Sequence, residues 1–419
     1  IHRPCLILPN EQGIYDTLAI YPNKKAAEPL AVLKAGEYVK DVIDEAIVEK
    51  NDEKIQVNRN MRILEMAKDG SHIRMWISSA MDFHNDTLWY PKSLLPEIVH
   101  NVGYPQPCSV AGGQDIQLVT DCMRATWEAA GEWTADSIHY LIKEYGFKMV
   151  FSHFHNIDLQ GHMLVQFLKR GNTSLSAETI QDLFREVYRQ TDRYIGRYMD
   201  MLDDGWTILI VSDHGQTCPE FHMSPLLAGD DTIEGIEMVK WGFTVLKKDE
   251  NGKDLPEIDW SKTVAVAPRS NQIYLNIKGR DEHGIIEPKD QYEWEEEIMT
   301  RLYGYKDKKT GKRVIALALR NKDAVLLGLT GPDCGDIIYF NAEGYNYDHG
   351  ESLGTCYGEE HTSVSPIFIA AGPGFKEGFE TDRVIRQVDF APTVATVGGV
   401  RMPRECEGAP VYQILSEVF

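Results

Sequence analysis

The alternation of apolar and polar positions changes character near residue 115. Ahead of it, short runs with a period of two dominate. Lys54 to Val57, Met61 to Met66 and His72 to Ile77 read as strands, with Lys68-Asp69-Gly70-Ser71 as a hairpin turn. Glu28 to Lys50 mixes helical and polar stretches, and Cys5 to Pro9 is strand-like. Pro105, Pro107 and Ala111-Gly112-Gly113 mark a boundary, so residues 1–110 read as an accessory region.

From residue 111 the rhythm is helix alternating with apolar strand. Asp115 to Glu144 is helical in pattern, Lys148 to Ser152 reads as a buried strand, and Ser176 to Asp203 as a long amphipathic helix. Trp206 to Ser212 is a second strand that runs into Asp213-His214-Gly215. Such alternation predicts an α/β fold with a mostly parallel central sheet flanked by helices. Functional side chains in such sheets collect just past the carboxyl ends of strands, where both Asp158 and Asp213 fall.

Residues 255–330 read as a smaller α+β insertion, with a strand at Gln272 to Ile277, a helix at Lys289 to Tyr303 and a strand at Val314 to Ala318. The run Lys306 to Lys312 is a charged, solvated turn. The core pattern resumes over 331–419, with Ser365 to Ala371 as a strand and a last helix near Asp389-Phe390-Ala391-Pro392-Thr393. The core is thereby divided into 111–254 and 331–419. No repeat or low-complexity tract interrupts it.

Composition narrows the function classes. At 419 residues, 43% hydrophobic and 26% charged, the chain is long enough for two or three cores. No apolar run reaches the length that spans a bilayer. The formal net charge of -21 disfavours a duplex nucleic acid surface, which is ordinarily basic. It does not disfavour a small anionic substrate, because bound divalent cations invert the local field. Seven widely spaced cysteines without a C-x-x-C pair fit a reducing compartment, and no thiolate zinc site is visible. The expectation is a cytoplasmic protein, with secretion as the alternative because the sequence starts at Ile1.

Three stretches carry chemistry: His155-Asn156-Ile157-Asp158-Leu159-Gln160-Gly161-His162, Ser212-Asp213-His214-Gly215-Gln216 and Glu360-His361-Thr362. One Asp-His pair is ordinary surface chemistry. Three imidazole–carboxylate clusters at strand ends of one α/β unit point to zinc or a similar divalent ion. Asp158 and His162 lie one helical turn apart, so both could face one ion if a helix starts here. They could equally be a helix cap and a solvent-exposed histidine. Asp213 and His214 would point apart in a regular strand and share an ion only if the strand ends there, which Gly215 allows.

In order, Asp-x-x-Gly-His, Ser-Asp-His-Gly after an apolar strand and a late histidine resemble the alkaline phosphatase superfamily. Its type I phosphodiesterase/nucleotide pyrophosphatase branch is the most similar. Trp206 to Gly215, Ile273-Tyr274-Leu275-Asn276-Ile277-Lys278-Gly279-Arg280 with Gly284-Ile285-Ile286, Ala371-Gly372-Pro373-Gly374-Phe375 and Asp389 to Thr393 add to the resemblance, which covers roughly residues 115 to 415. It implies an alkaline-phosphatase-like core and two divalent ions, zinc first, with manganese or iron as alternatives. One ion would be held by Asp158, His162 and His361, the other by Asp213 and His214. His349, in Asp348-His349-Gly350, is the alternative to His361. The implied reaction is hydrolysis of phosphodiester or phosphoanhydride bonds in a small phosphoester or nucleotide.

The family also uses an aspartate after the first strand and a bridging threonine or serine nucleophile, and neither has a match in this sequence. The simplest account is an N-terminally truncated sequence, which by itself would bind metal weakly and be nearly inactive. Rival readings share the metal frame: a phosphomonoesterase, a phosphoglycerate mutase-like or sulfatase-like enzyme, or a non-catalytic metal-binding relic. His155 is a candidate for lining the pocket, against the plainer reading of a hydrogen bond to a loop carbonyl. Arg269 and Arg280 are candidates for a phosphoryl contact, against the plainer reading of surface ion pairs.

Overall fold

The computed structural model describes residues 2–48, 50–108, 115–170, 174–215, 236–268, 271–342 and 365–416. The chain divides into two compact units: Ile1–Ile208 with Ala371–Phe375, and Leu209–Ala370 with Lys376–Phe419.

The first unit begins with two antiparallel sheets. One joins β1 (Cys5–Pro9), β2 (Tyr15–Ile20) and β3 (Ala31–Lys34), the other β4 (Tyr38–Val48), β5 (Glu53–Met66) and β6 (Ile73–Ile77). In β3 the period of two is explicit: Ala31 and Leu33 are buried while Val32 and Lys34 face solvent. Leu18, Ile20, Leu33, Val42, Met61 and Ile63 form the core. The hairpin turn expected at Lys68 to Ser71 is present between β5 and β6, with the Asp69 carboxylate accepting from Ser71 N and Gly70 at φ 73°.

Residues 28–50 contain strands and no helix among the described residues, contrary to the mixed helical reading. A register shift between Val39 and Val42, with Asp41 at φ 63°, interrupts the alternation of β4. Such a bulge puts neighbouring apolar residues out of phase and disguises the period of two.

Helices α1 (Leu94–Asn101), α2 (Arg124–Tyr145), α3 (Asn156–Arg170) and α4 (Ala177–Gly196) complete this unit. Gly146 ends α2 in the left-handed conformation, at φ 64°. Leu164 and Phe167 of α3 pack against Ile180, Leu183 and Val187 of α4, joined by Val119 from the segment ahead of α2. Lys148 to Ser152, expected to be a buried strand, forms no strand, and Phe151 is 77% exposed. Apolar β-formers become a strand only where another strand supplies the hydrogen bonds.

In the second unit β7 (Ile208–Val211) pairs with β14 (Phe368–Ala371), the division between units falling at the ends of these strands. Between them in sequence come α5 (Ile236–Trp241), the hairpin of β8 (Leu246–Lys248) with β9 (Asp254–Ile258), and the strands β10 (Ala265–Val266), β11 (Gln272–Leu275), β12 (Ile315–Arg320) and β13 (Ile337–Asn341). The last four form an antiparallel sheet in the order β10-β11-β13-β12. Helix α6 (Gln291–Gly304) supplies Ile298 and Leu302 to the core over this sheet. Gly284 lies against the backbone of Ile277, and a Cβ there would come within 2.2 Å of the Ile277 carbonyl oxygen. Helix α7 (Phe390–Val397) follows, close to where the sequence places it.

The chain is therefore built of helices and sheets, but a large parallel central sheet does not emerge from the described residues. The sheets are small, and those of three or more strands are antiparallel. Of the two strands expected between residues 115 and 215, only β7 forms, so α2, α3 and α4 pack on one another instead. No helix among the described residues is long and apolar enough to cross a membrane.

Candidate metal centre

The start of α3 is fixed by a buried amide. Asn156 is fully buried, accepts from Gln160 Nε2 and donates to Gln190 Oε1 at 3.4 Å, while Gln190 Nε2 donates to Arg124 O at 2.7 Å. This chain of amides ties the first turn of α3 to α4 and α2. Asp158 then falls within that first turn, and His162 one turn later on the same face.

His162 Nε2 lies 2.9 Å from Asp158 Oδ1, with the side chains 14% and 21% exposed. Asp158 is therefore no helix cap and His162 is not in open solvent. The other carboxylate oxygen, Oδ2, accepts from His155 Nε2 at 2.6 Å. Burial by itself pushes the Asp158 carboxyl up, but His162 and then His155 outweigh it and hold it at about 2. At neutral pH this is a carboxylate between two imidazoles. A half-buried oxygen–nitrogen pair of this kind is a donor set that suits a zinc-like divalent cation.

His155 does not bond a loop carbonyl through Nε2, as the plainer sequence reading had it; that nitrogen serves Asp158. Its ring packs on His153, with centroids 4.8 Å apart.

In the second unit, β7 ends at Val211, which frees Asp213 and His214 from strand geometry. They do not point apart: His214 N donates to Asp213 Oδ1 at 3.1 Å, and His214 Nε2 lies 3.5 Å from Asp213 Oδ2. His214 Nδ1 donates to Gly215 O at 2.8 Å. Because a carbonyl only accepts, this bond puts the proton on Nδ1 and the lone pair on Nε2, the form in which histidine ligates metals. Ser212 Oγ donates to His214 O at 2.5 Å, and Gln387 Nε2 donates to Asp213 O. The Asp213 side chain is 82% exposed.

His361, its alternative His349, and Arg269 lie outside the described residues. Arg280 is an ion-pair residue, as its plainer reading had it. It donates to Asp336 Oδ1 at 2.6 Å, to Asp281 and to the Leu275 carbonyl, and these carboxylates raise its pKa. Two carboxylates already compensate its charge, so it is a clamp on the end of β11. The sequence reading missed the amides Asn156, Gln160 and Gln190, and it missed Gln387. Asn156 and Gln160 are four apart, a spacing that can signal a helix-surface pair; nothing local marks Gln190 or Gln387.

The chain matches the type I phosphodiesterase / nucleotide pyrophosphatase family over residues 47–364, most of its length, and belongs to that family. The match starts earlier than the resemblance read from motifs, and it stops before Gly372 and Asp389. Asp158, His162, Asp213 and His214 all fall inside it, as do His349 and His361. No curated protein matches the chain. A solved structure, that of wild-type alkaline phosphatase PafA, is similar at 17% identity with a TM-score of 0.42, over 69% of this chain. The match takes in 53% of PafA, so the chain spans about half the length of that protein.

Proposed function

We propose that this protein hydrolyses phosphodiester or phosphoanhydride bonds of small substrates such as nucleotides, with two divalent cations bound. Family membership supports the reaction class. The observation that carries the proposal is the ionised Asp158 carboxylate held beside the His162 imidazole at 2.9 Å. In this reading Asp158, His162 and His361, or His349 in its place, hold one cation, while Asp213 and His214 hold the other. Zinc is the first choice and manganese or iron the alternatives. The β7–β14 pair would then be part of the central sheet of an alkaline-phosphatase-like core, and the antiparallel sheets its insertions.

When bound, such cations polarise phosphoryl oxygens and lower the pKa of an attacking hydroxyl. The chain's own residues prepare for that work. Asp158 stays anionic far below neutral pH and needs no deprotonation before binding. Gly215 O fixes the His214 tautomer with its lone pair on Nε2. Ser212 and Gln387 hold the main chain that carries Asp213 and His214. The net charge of -21 supports a small substrate over a nucleic acid duplex.

The test is a substrate panel on the full-length protein loaded with zinc: bis(p-nitrophenyl) phosphate, a nucleotide p-nitrophenyl ester, p-nitrophenyl phosphate and p-nitrophenyl sulfate. The two diesters should be turned over fastest. Chelation, Asp158→Asn or Asp213→Ala should each lower the rate about a hundredfold or more, the scale of losing a main electrostatic stabiliser. Preference for the monoester or the sulfate would move the protein to another branch. Turnover indifferent to chelator would end the metal reading, and zinc binding without turnover would favour the relic.

A further inference from the structure

Residues 153–156 alternate across the start of α3. Phe154 packs against Trp127 and Tyr194 and Asn156 is buried, so His153 and His155 come to the opposite, outer side. The backbone of His155 is engaged as well, because its carbonyl accepts from Leu159 N at 3.2 Å and begins the helical ladder. Its ring folds back over the first turn, is packed on one side by His153, and delivers Nε2–H to Asp158 Oδ2 at 2.6 Å. A carboxylate accepts, so the proton of this bond belongs to His155.

The consequence is a division of labour within one carboxylate. Oδ2 is committed to His155 and Oδ1 is turned to His162 Nε2 at 2.9 Å. An aspartate without the first bond can rotate about its terminal torsion, which is broad and roughly two-fold. It could then present either oxygen, or both, to a cation. With the bond, one oxygen and one imidazole nitrogen face the same point. Outer hydrogen bonds of this kind orient a ligand and typically change metal affinity 10- to 100-fold.

We propose that His155 is the positioning residue of the metal centre, holding Asp158 so that Oδ1 alone is offered to the cation shared with His162. The inference rests on the reading that Asp158 and His162 bind a cation, and the test separates the two. The His155 side chain is 44% exposed, so its removal opens no core cavity, which makes substitution a clean probe.

Zinc affinity is measured on the metal-free full-length protein by competition with a fluorescent chelator, with Asp158→Asn identifying the zinc equivalent that depends on this site. His155→Ala should weaken that equivalent about 10- to 100-fold, while the metal-free protein still folds and loses only the stability of one half-exposed hydrogen bond. His155→Gln, whose amide can donate in place of the imidazole, should recover most of the loss. His155→Phe, which keeps the ring but not the donor, should not. Cobalt substituted at the site should show shifted d–d bands in His155→Ala and His155→Phe but not in His155→Gln. If His155→Ala does not fold, the contrast between Gln and Phe decides alone. Zinc affinity within about threefold of wild type in His155→Phe overturns the positioning role. If Asp158→Asn itself leaves every zinc equivalent in place, the metal centre is wrong and the positioning role falls with it.

Discussion

Tyr38 illustrates how far one buried hydroxyl can reach. Its oxygen lies 3.0 Å from Thr126 Oγ1 and accepts from Asn60 Nδ2, and burial pushes its pKa up to about 12 from 10.0. Folded, the hydroxyl keeps its proton in a range where the unfolded chain gives it up. Its contribution to stability is therefore complete below pH 10 and is lost as the pH rises through about 12. The difference corresponds to something on the order of 2 to 3 kcal/mol. Urea titrations at a series of alkaline pH values should show the first unit losing stability steeply across this window, and Tyr38→Phe should flatten the slope. At the same scale, the sequence made the Asp158–His162 pair visible because four residues span one helical turn. It left open whether Asp158 caps the helix or lies inside it. That choice turns on whether α3 starts at Asn156 or two residues later, and the buried amide contact with Gln190 decides it across a gap of 34 residues.

Helix α4 has the start that its sequence predicts. Ser176 Oγ accepts from Thr179 N at 3.1 Å, and Glu178 places a negative charge in the first turn, where it favours the helix dipole. Ser176→Ala should cost about 1 kcal/mol and Ser176→Asp almost nothing, measured as a shift in denaturation midpoint at constant slope. Elements with such local punctuation were legible: α4, the turn at Lys68 to Ser71, and the strand ahead of Ser212. Those that depend on distant partners were not. β4 hides behind the bulge at Asp41, and Lys148 to Ser152 has the residues of a strand without strand pairing. Pattern reports which residues favour a strand, but hydrogen-bond partners far along the chain decide whether it forms.

For the whole molecule, charge is the property the sequence states most directly. An anionic phosphoester approaching a protein of net charge -21 meets long-range repulsion. The Debye length shrinks from about 30 Å at 10 mM salt to about 8 Å at 150 mM. On the proposed function, kcat/KM for a nucleotide diester should therefore rise with ionic strength over that range, the reverse of what an electropositive cleft would give. A fall would place a local positive field, from bound cations or arginines, above the global one. Family membership was equally legible, because short motifs such as Asp158 to His162 and Trp206 to Gly215 lie inside the stretch that matches the family. Sheet architecture was not, since alternation of helix and strand fits several pairings, and β10 to β13 adopt an antiparallel one.

The close approach of Gly284 to the backbone of Ile277 has a genetic meaning. Every other amino acid carries a Cβ, and any Cβ there would sit 2.2 Å from a carbonyl oxygen that a side-chain adjustment cannot move. The site admits no conservative replacement, and every missense change in that codon meets the same steric barrier. Among natural variants of this chain, residue 284 should thus behave as a fixed letter, while the proposed metal ligands can still trade one donor type for another.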